Sequence, residues 1–261
     1  MNRAMNRPLT RAMNRVLPLV LVVACCSTAS LRAQETRSLG EWRDVAFAAL
    51  GRGDSTAAIT AADAILRDFP EVTVAARVAG DVYLRAGKID RSIEQFERYI
   101  KQVPEHEPEL WQYGIALALV GRYDDGRKLF ELHRTVNPRD VENALWHFYC
   151  VAKASSPERA RALVLPAPGD RRVPMDPLLS LYRGEADEAA VRAAVAELPE
   201  DSRAIKMAGF YADLYLAMLA DAEGDRQRAS ELAARAAKIA EVNYMTDVGR
   251  IYQSTFRDAA P

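Results

Sequence analysis

Histidine and cysteine are scarce, with three of each in 261 residues, and that scarcity removes most of the chemistry a catalytic chain of this size would carry. Two of the cysteines, Cys25 and Cys26, fall in the first 33 residues, so Cys150 stands alone in the rest and no internal disulfide can form there. The chain has no G-x-x-x-x-G-K-[ST] phosphate loop, no H-E-x-x-H metal helix and no G-x-S-x-G nucleophile turn. It reads as a non-enzyme with neither a catalytic residue set nor a cofactor. Long apolar runs are also missing: the stretch from Val16 to Cys26 falls far short of the about 20 residues that a spanning helix needs.

The first 33 residues stand apart in composition. Arg3, Arg7, Arg11 and Arg15 precede that apolar stretch, and small residues leading to Ala33 follow it, the order of a secretory signal. The triplet MNR begins at Met1, Met5 and Met13, and a start at Met13 would leave a signal of ordinary length. Val22-Val23-Ala24-Cys25 resembles a bacterial lipobox, so lipidation of Cys25 is the alternative to cleavage after Ala33. The expectation is an exported protein of the periplasm or cell envelope, touching a membrane only through such a lipid. Without residues 1–33, 30 basic residues face 36 acidic ones, a net charge near −6 that leaves no basic footprint for nucleic acid.

What the remainder has is a repeat. "GKIDRSIEQFERYIKQVP" (Gly87 to Pro104) and "GRYDDGRKLFELHRTVNP" (Gly121 to Pro138) align at a period of 34, which also pairs Gly80 with Gly114 and Phe96 with Phe130. One step back lands on Gly53 and Pro70, with Trp42 at the early aromatic position. Within a unit, Val74, Val78, Tyr83 and Leu84 share a helical face with alanines, Gly87 supplies a turn, and Ile89, Ile93, Phe96 and Ile100 recur at helical spacing. A single such pair would leave its apolar face wet, so neighbours must stack. The period and the small, aromatic and proline positions resemble the tetratricopeptide repeat, which implies an all-α superhelix of helical hairpins, an α-solenoid that binds protein partners.

The expected organisation is an array over residues 39–164, with repeats at 39–72, 73–106 and 107–140 and a degenerate fourth at 141–164. A loop follows at 165–174, where Pro166, Pro168 and Pro174 forbid a continuous helix. Residues 175–257 then read as degenerate helix pairs, around Gly184 and Gly224, and a final helix whose polar side caps the stack. This order is similar to the family of the bacterial outer-membrane lipoprotein NlpI, in the signal, the repeats, the broken middle and the alanine-rich pair opening "FYADLYLAMLADAEGD". That resemblance implies a non-catalytic adaptor whose partners are cell-wall hydrolases or envelope proteases; the weak lipobox is where this chain departs from it.

In stacked repeats the first helices line the concave side. The 34-residue spacing puts Arg43 and Phe47, Arg77 and Asp81, Trp111 and Ile115, and Leu145 and Tyr149 at the groove positions. Aromatics and arginines dominate interface energetics, so these eight are the candidate partner-binding residues for a protein or extended peptide. His147 and Cys150 lie three apart and are the nucleus of a rival reading, a metal or small-molecule enzyme, although four ligands cannot be assembled and no metal residue is assigned. His133 stands where such repeats carry alanine, beside Gly126, which suggests compensation of size; His106 reads as solvated. Arg171 and Arg172 mark either a docking loop or a solvated one. A third reading is a homo-oligomer formed through the alanine-rich stretch 209–240.

Overall fold

The computed structural model describes residues 37–257. The expectations for residues 1–33, the signal and Cys25 among them, lie outside that range. Thirteen α-helices and no strand occur among the described residues, and none of these helices is long and apolar enough to cross a membrane. They run as pairs: α1 (Leu39–Gly51) with α2 (Ser55–Asp68), α3 (Thr73–Arg85) with α4 (Ile89–Gln102), α5 (Trp111–Leu119) with α6 (Tyr123–His133), and α7 (Val141–Ala154) with the short α8 (Pro157–Ala162). After residues 163–174 come α9 (Met175–Arg183), α10 (Glu188–Ala196), α11 (Arg203–Ala222), α12 (Arg226–Ala236) and α13 (Tyr244–Ser254).

The repeated glycines do two jobs. Gly87 and Gly121 sit between paired helices at φ of +76° and +80°, a left-handed conformation that lets the chain reverse and that a β-carbon would strain. Gly114 lets two helices approach: a β-carbon there would lie 2.8 Å from the ring of Phe130, itself 1 % exposed. The same relation holds one repeat earlier between Gly80 and Phe96, where Ser92 also donates to the Gly80 carbonyl at 2.7 Å. The aromatic therefore recurs because it fills the room the glycine leaves. Val74 departs from the expected apolar face and is 44 % exposed, whereas Ala75, Ala76, Ala79, Val82, Tyr83 and Leu84 are buried.

α7 marks the change from regular stack to C-terminal body. All residues from Val141 to Ala152 are buried, because α5 and α6 cover one side of it and α9 and α11 the other. The non-helical segment 163–174 is pinned to the start of α7 by Arg172, whose guanidinium meets Asp140 at 2.8 Å, Asp170 at 2.6 Å and also Glu142. The Tyr215 hydroxyl, from α11, donates to the same Glu142, and Tyr182, from α9, donates to the Tyr215 carbonyl at 2.6 Å. A buried charge needs partners on every side, and this cluster therefore holds α7, α9, α11 and the segment 163–174 in one arrangement.

Two measurements test this account. Phe130→Ala should cost about 3–5 kcal/mol in urea unfolding, the range for emptying a packed aromatic site. Gly114→Ala should also destabilise, because the clash with Phe130 outweighs the about 0.5–1 kcal/mol that alanine gains over glycine in a helix; a gain in stability would show that the packing is wrong. Burial pushes the Glu142 carboxyl up to about 7, against the pull of Arg172 and Tyr215, from an ordinary value of 4.5. Between those values the folded chain holds a proton that the unfolded chain has released, so this group's contribution falls as pH rises. The stability of the wild type relative to Glu142→Gln should therefore fall from pH 5 to pH 7, by at most about 1.4 kcal/mol per pH unit. A difference that does not change with pH would mean that Glu142 is ionised throughout.

Candidate functional site

The eight groove positions have different fates. Arg43 is exposed and pairs with its neighbour Asp44, at 2.9 Å. Phe47 is half-buried under the Arg85 guanidinium, 5.5 Å from the ring centre, and Arg77 reaches Glu109 at 3.8 Å. Ile115 and Leu145 are 1 % and 0 % exposed and belong to the core, so they offer a partner no surface. Asp81, Trp111 and Tyr149 each lie against α13, the first two at its Tyr244 and the last at its Tyr252.

This last helix does not close the end of the stack. It packs on α12 and folds back onto α3, so the chain's own C-terminal helix lies over the first helices. Asn243 caps it, accepting from the Thr246 amide at 3.0 Å, and Met245, Val248, Ile251 and Tyr252 bury its apolar stripe. Asp247 meets Arg85 at 2.8 Å, with side chains only 9 % and 12 % exposed, and Arg250 holds the other carboxylate oxygen at 3.1 Å. The Tyr244 ring packs edge-on to Trp111, 4.7 Å between centres. At the far end the Asp221 carboxylate of α11 accepts from Tyr149 at 2.6 Å and Tyr252 at 3.4 Å, and meets Lys153 at 3.1 Å. Burial pushes both the Asp81 and the Asp247 carboxyl up, in each case against nearby arginines, and Oδ1 of Asp81 has no hydrogen-bond partner.

Beside α13 the coverage fails, and a cavity of about 600 Å³ opens between α5, α7, residues 163–174, α11 and the start of α13. Its aromatic lining comes from Trp111, Tyr211 and Tyr244, with the buried rings of Phe130 and Trp146 behind them. Behind the wall, Trp146 (1 % exposed) has no acceptor for Nε1 and Asn143 (4 % exposed) no donor for Oδ1, both atoms being buried away from the cavity; Asn143 Nδ2 donates to the Phe130 carbonyl at 3.0 Å. Arg139 and Arg171 stand exposed at the mouth and border the adjoining surface depression as well. Neither forms an ion pair among the described residues, in contrast to Arg172 between its carboxylates. Sequence reasoning found Trp111 and flagged the arginine pair, but it missed Tyr211, Tyr244 and Trp146. The signal for Tyr211 was its spacing of four from Tyr215, which puts two tyrosines on one side of α11; their rings stack 6.3 Å apart.

The other candidates are structural. Cys150 is fully buried, its thiol pushed up by burial, and its Sγ lies 3.0 Å from where a Gly126 β-carbon would stand. Gly126 thus makes room for Cys150 and not for His133, which is 4 % exposed with Nδ1 2.7 Å from the Pro108 carbonyl. His147 is 1 % exposed, with Nε2 3.3 Å from Glu131, and burial pushes its pKa down. His106 is half-buried, its Nδ1 2.5 Å from the Tyr99 hydroxyl, and so is less solvated than its sequence context suggests. No three His, Cys, Asp or Glu side chains converge on a metal position among the described residues. In the stretch 209–240, Ala212, Ala217, Ala229, Ala233 and Ala236 are at most 1 % exposed, spent on the packing of α11 and α12.

Comparison with known proteins bears on the stack. The sequence model of the tetratricopeptide repeat family matches residues 46–107 and 77–139. A tetratricopeptide repeat protein from Parabacteroides merdae ATCC 43184, known from its crystal structure, is similar at 12 % identity and a TM-score of 0.39, over 82 % of this chain and 98 % of that one. No curated protein matches. The helical pairs, their 34-residue period and the family match agree: residues 46–139 are a stack of helical hairpins of the tetratricopeptide-repeat type.

Proposed function

We propose that this protein is an exported adaptor that holds a segment of a partner protein in the cavity beside α13, and that it serves cell-envelope assembly or proteolysis. The observation that carries the reading is the cavity's composition: three partly exposed aromatic side chains, Trp111, Tyr211 and Tyr244, around a space of about 600 Å³. A concave space with apolar side chains and convergent polar groups is the usual form of a binding site. The first-helix face that such scaffolds use for partners is here largely occupied by α13, so the cavity is what remains of it. Export rests on the composition of residues 1–33, and the envelope role on the likeness in architecture to the NlpI family.

A photo-crosslinking residue placed at Asn137, at the cavity mouth, should capture envelope proteins in the native cell. The same residue at Glu94, exposed on α4 and outside the cavity, should not. Equal labelling from both positions, or none from position 137, would count against the cavity as the partner site. Intact mass with fractionation decides the attachment: an N-terminus at Gln34 in the soluble periplasm means a diffusible adaptor, and a lipidated Cys25 in the membrane fraction a tethered one.

A further inference from the structure

In a stack of repeats each unit touches its neighbours. α13 breaks that rule by packing on α3, so the C-terminal body and the first repeats meet directly and the superhelix is closed on itself. The two sides of α13 differ in kind. Toward α11 and α12 the fit is apolar and close: Met245, Val248 and Tyr252 belong to the same core as Phe210 and Leu232, and a β-carbon on Gly249 would lie 2.8 Å from the Phe210 ring.

Toward α3 the contact is polar. Asp247 pairs with Arg85 at 2.8 Å and with Arg250 at 3.1 Å, almost out of solvent. Beside that pair, Oδ1 of Asp81 and the Tyr244 hydroxyl are buried, and neither has a hydrogen-bond partner among the described residues. The attraction within a buried ion pair is largely offset by the desolvation of its two charges, and each buried polar atom without a partner costs stability. The apolar side therefore holds α13 to α11 and α12, and the α3 side is where the structure parts most easily.

This seam is also narrow. On one side of it lies the cavity that has Trp111 and Tyr244 in its wall. On the other lies a second cavity of about 500 Å³, between the α1–α2 turn, the α3–α4 turn and the C-terminal half of α13, lined by Arg52, Gly87, Ile251 and Ser254. Tyr244 lines the first and Arg85 and Asp247 the second, so this run of contacts is the partition between them.

We infer that the α3–α13 seam is a gate: when the Arg85–Asp247 pair opens, the first repeats part from α13, α13 stays with α11 and α12, and the two cavities join into one groove along α3 and α5. Small rotations at successive repeat junctions supply the movement, since the rotation per repeat sets the curvature of such a stack. The open groove presents Arg85 and Trp111 together, residue types that dominate interface energetics.

The test is pulsed electron paramagnetic resonance on the chain from Gln34, whose one cysteine, Cys150, is buried. Spin labels on Thr60→Cys in α2 and Lys238→Cys after α12, both exposed, span the seam; labels on Lys128→Cys in α6 and Lys238→Cys lie on one side of it. Asp247→Asn should add a second, longer distance to the first pair and leave the other pair unchanged. Arg85→Met with Asp247→Leu, which puts apolar side chains in place of the ion pair, should return the first pair to a single short distance. In the wild type, urea below the unfolding midpoint should lengthen the first pair before the other, a reading that does not depend on whether the asparagine variant folds. An unchanged first pair in Asp247→Asn, or lengthening of both pairs together in either measurement, would overturn the gate.

Discussion

Stacked helical pairs leave one face of the stack without a neighbour, and in this molecule covering that face controls everything else. The first helices α3, α5 and α7 present Asp81, Trp111 and Tyr149 toward the same side, too apolar to leave wet and too polar to bury without partners. The C-terminal helix solves the problem with matched chemistry: Asp247 to Arg85, Tyr244 to Trp111, and Tyr252 to the carboxylate shared with Tyr149. The cavity exists because an eleven-residue helix cannot cover a face that runs from α3 to α7. The Arg172 cluster ties the segment 163–174, one of its walls, to the start of α7.

Much of the fold was legible in the sequence because a 34-residue period is a local statement repeated. Gly87 and Gly121 announce a backbone sign, Gly114 and Phe130 announce a close approach, and each lies within one helical pair of the residue that explains it. The same logic fails for Arg172, whose partner Glu142 lies thirty residues away. A charge pattern cannot say whether an Arg-Arg doublet is solvated or clamped, and here one member is each.

The site was less legible still. Periodicity names the apolar face of α13 but not the surface that covers it, so a helix that reads as an end cap turns out to lie across the first helices. Ile115 and Leu145 occupy groove positions by register and core positions in space, because α7 is enclosed from both sides. Trp146 belongs to the same buried helix, and only the three-dimensional arrangement shows its Nε1 facing no acceptor. Cys150 and His147, three residues apart, looked like the start of a metal site; one fills the space beside Gly126 and the other leans on Glu131.

The contact between Arg85 and Asp247 joins residues 162 positions apart. A ribosome adds about 5–20 residues per second, so the first repeats must wait on the order of 8–30 seconds after Arg85 is made before the helix that covers them exists. Until α13 is in place, Trp111 and the face of α3 have no cover. α13 is thus a timing element, and its arrival ends the period in which this face stands open.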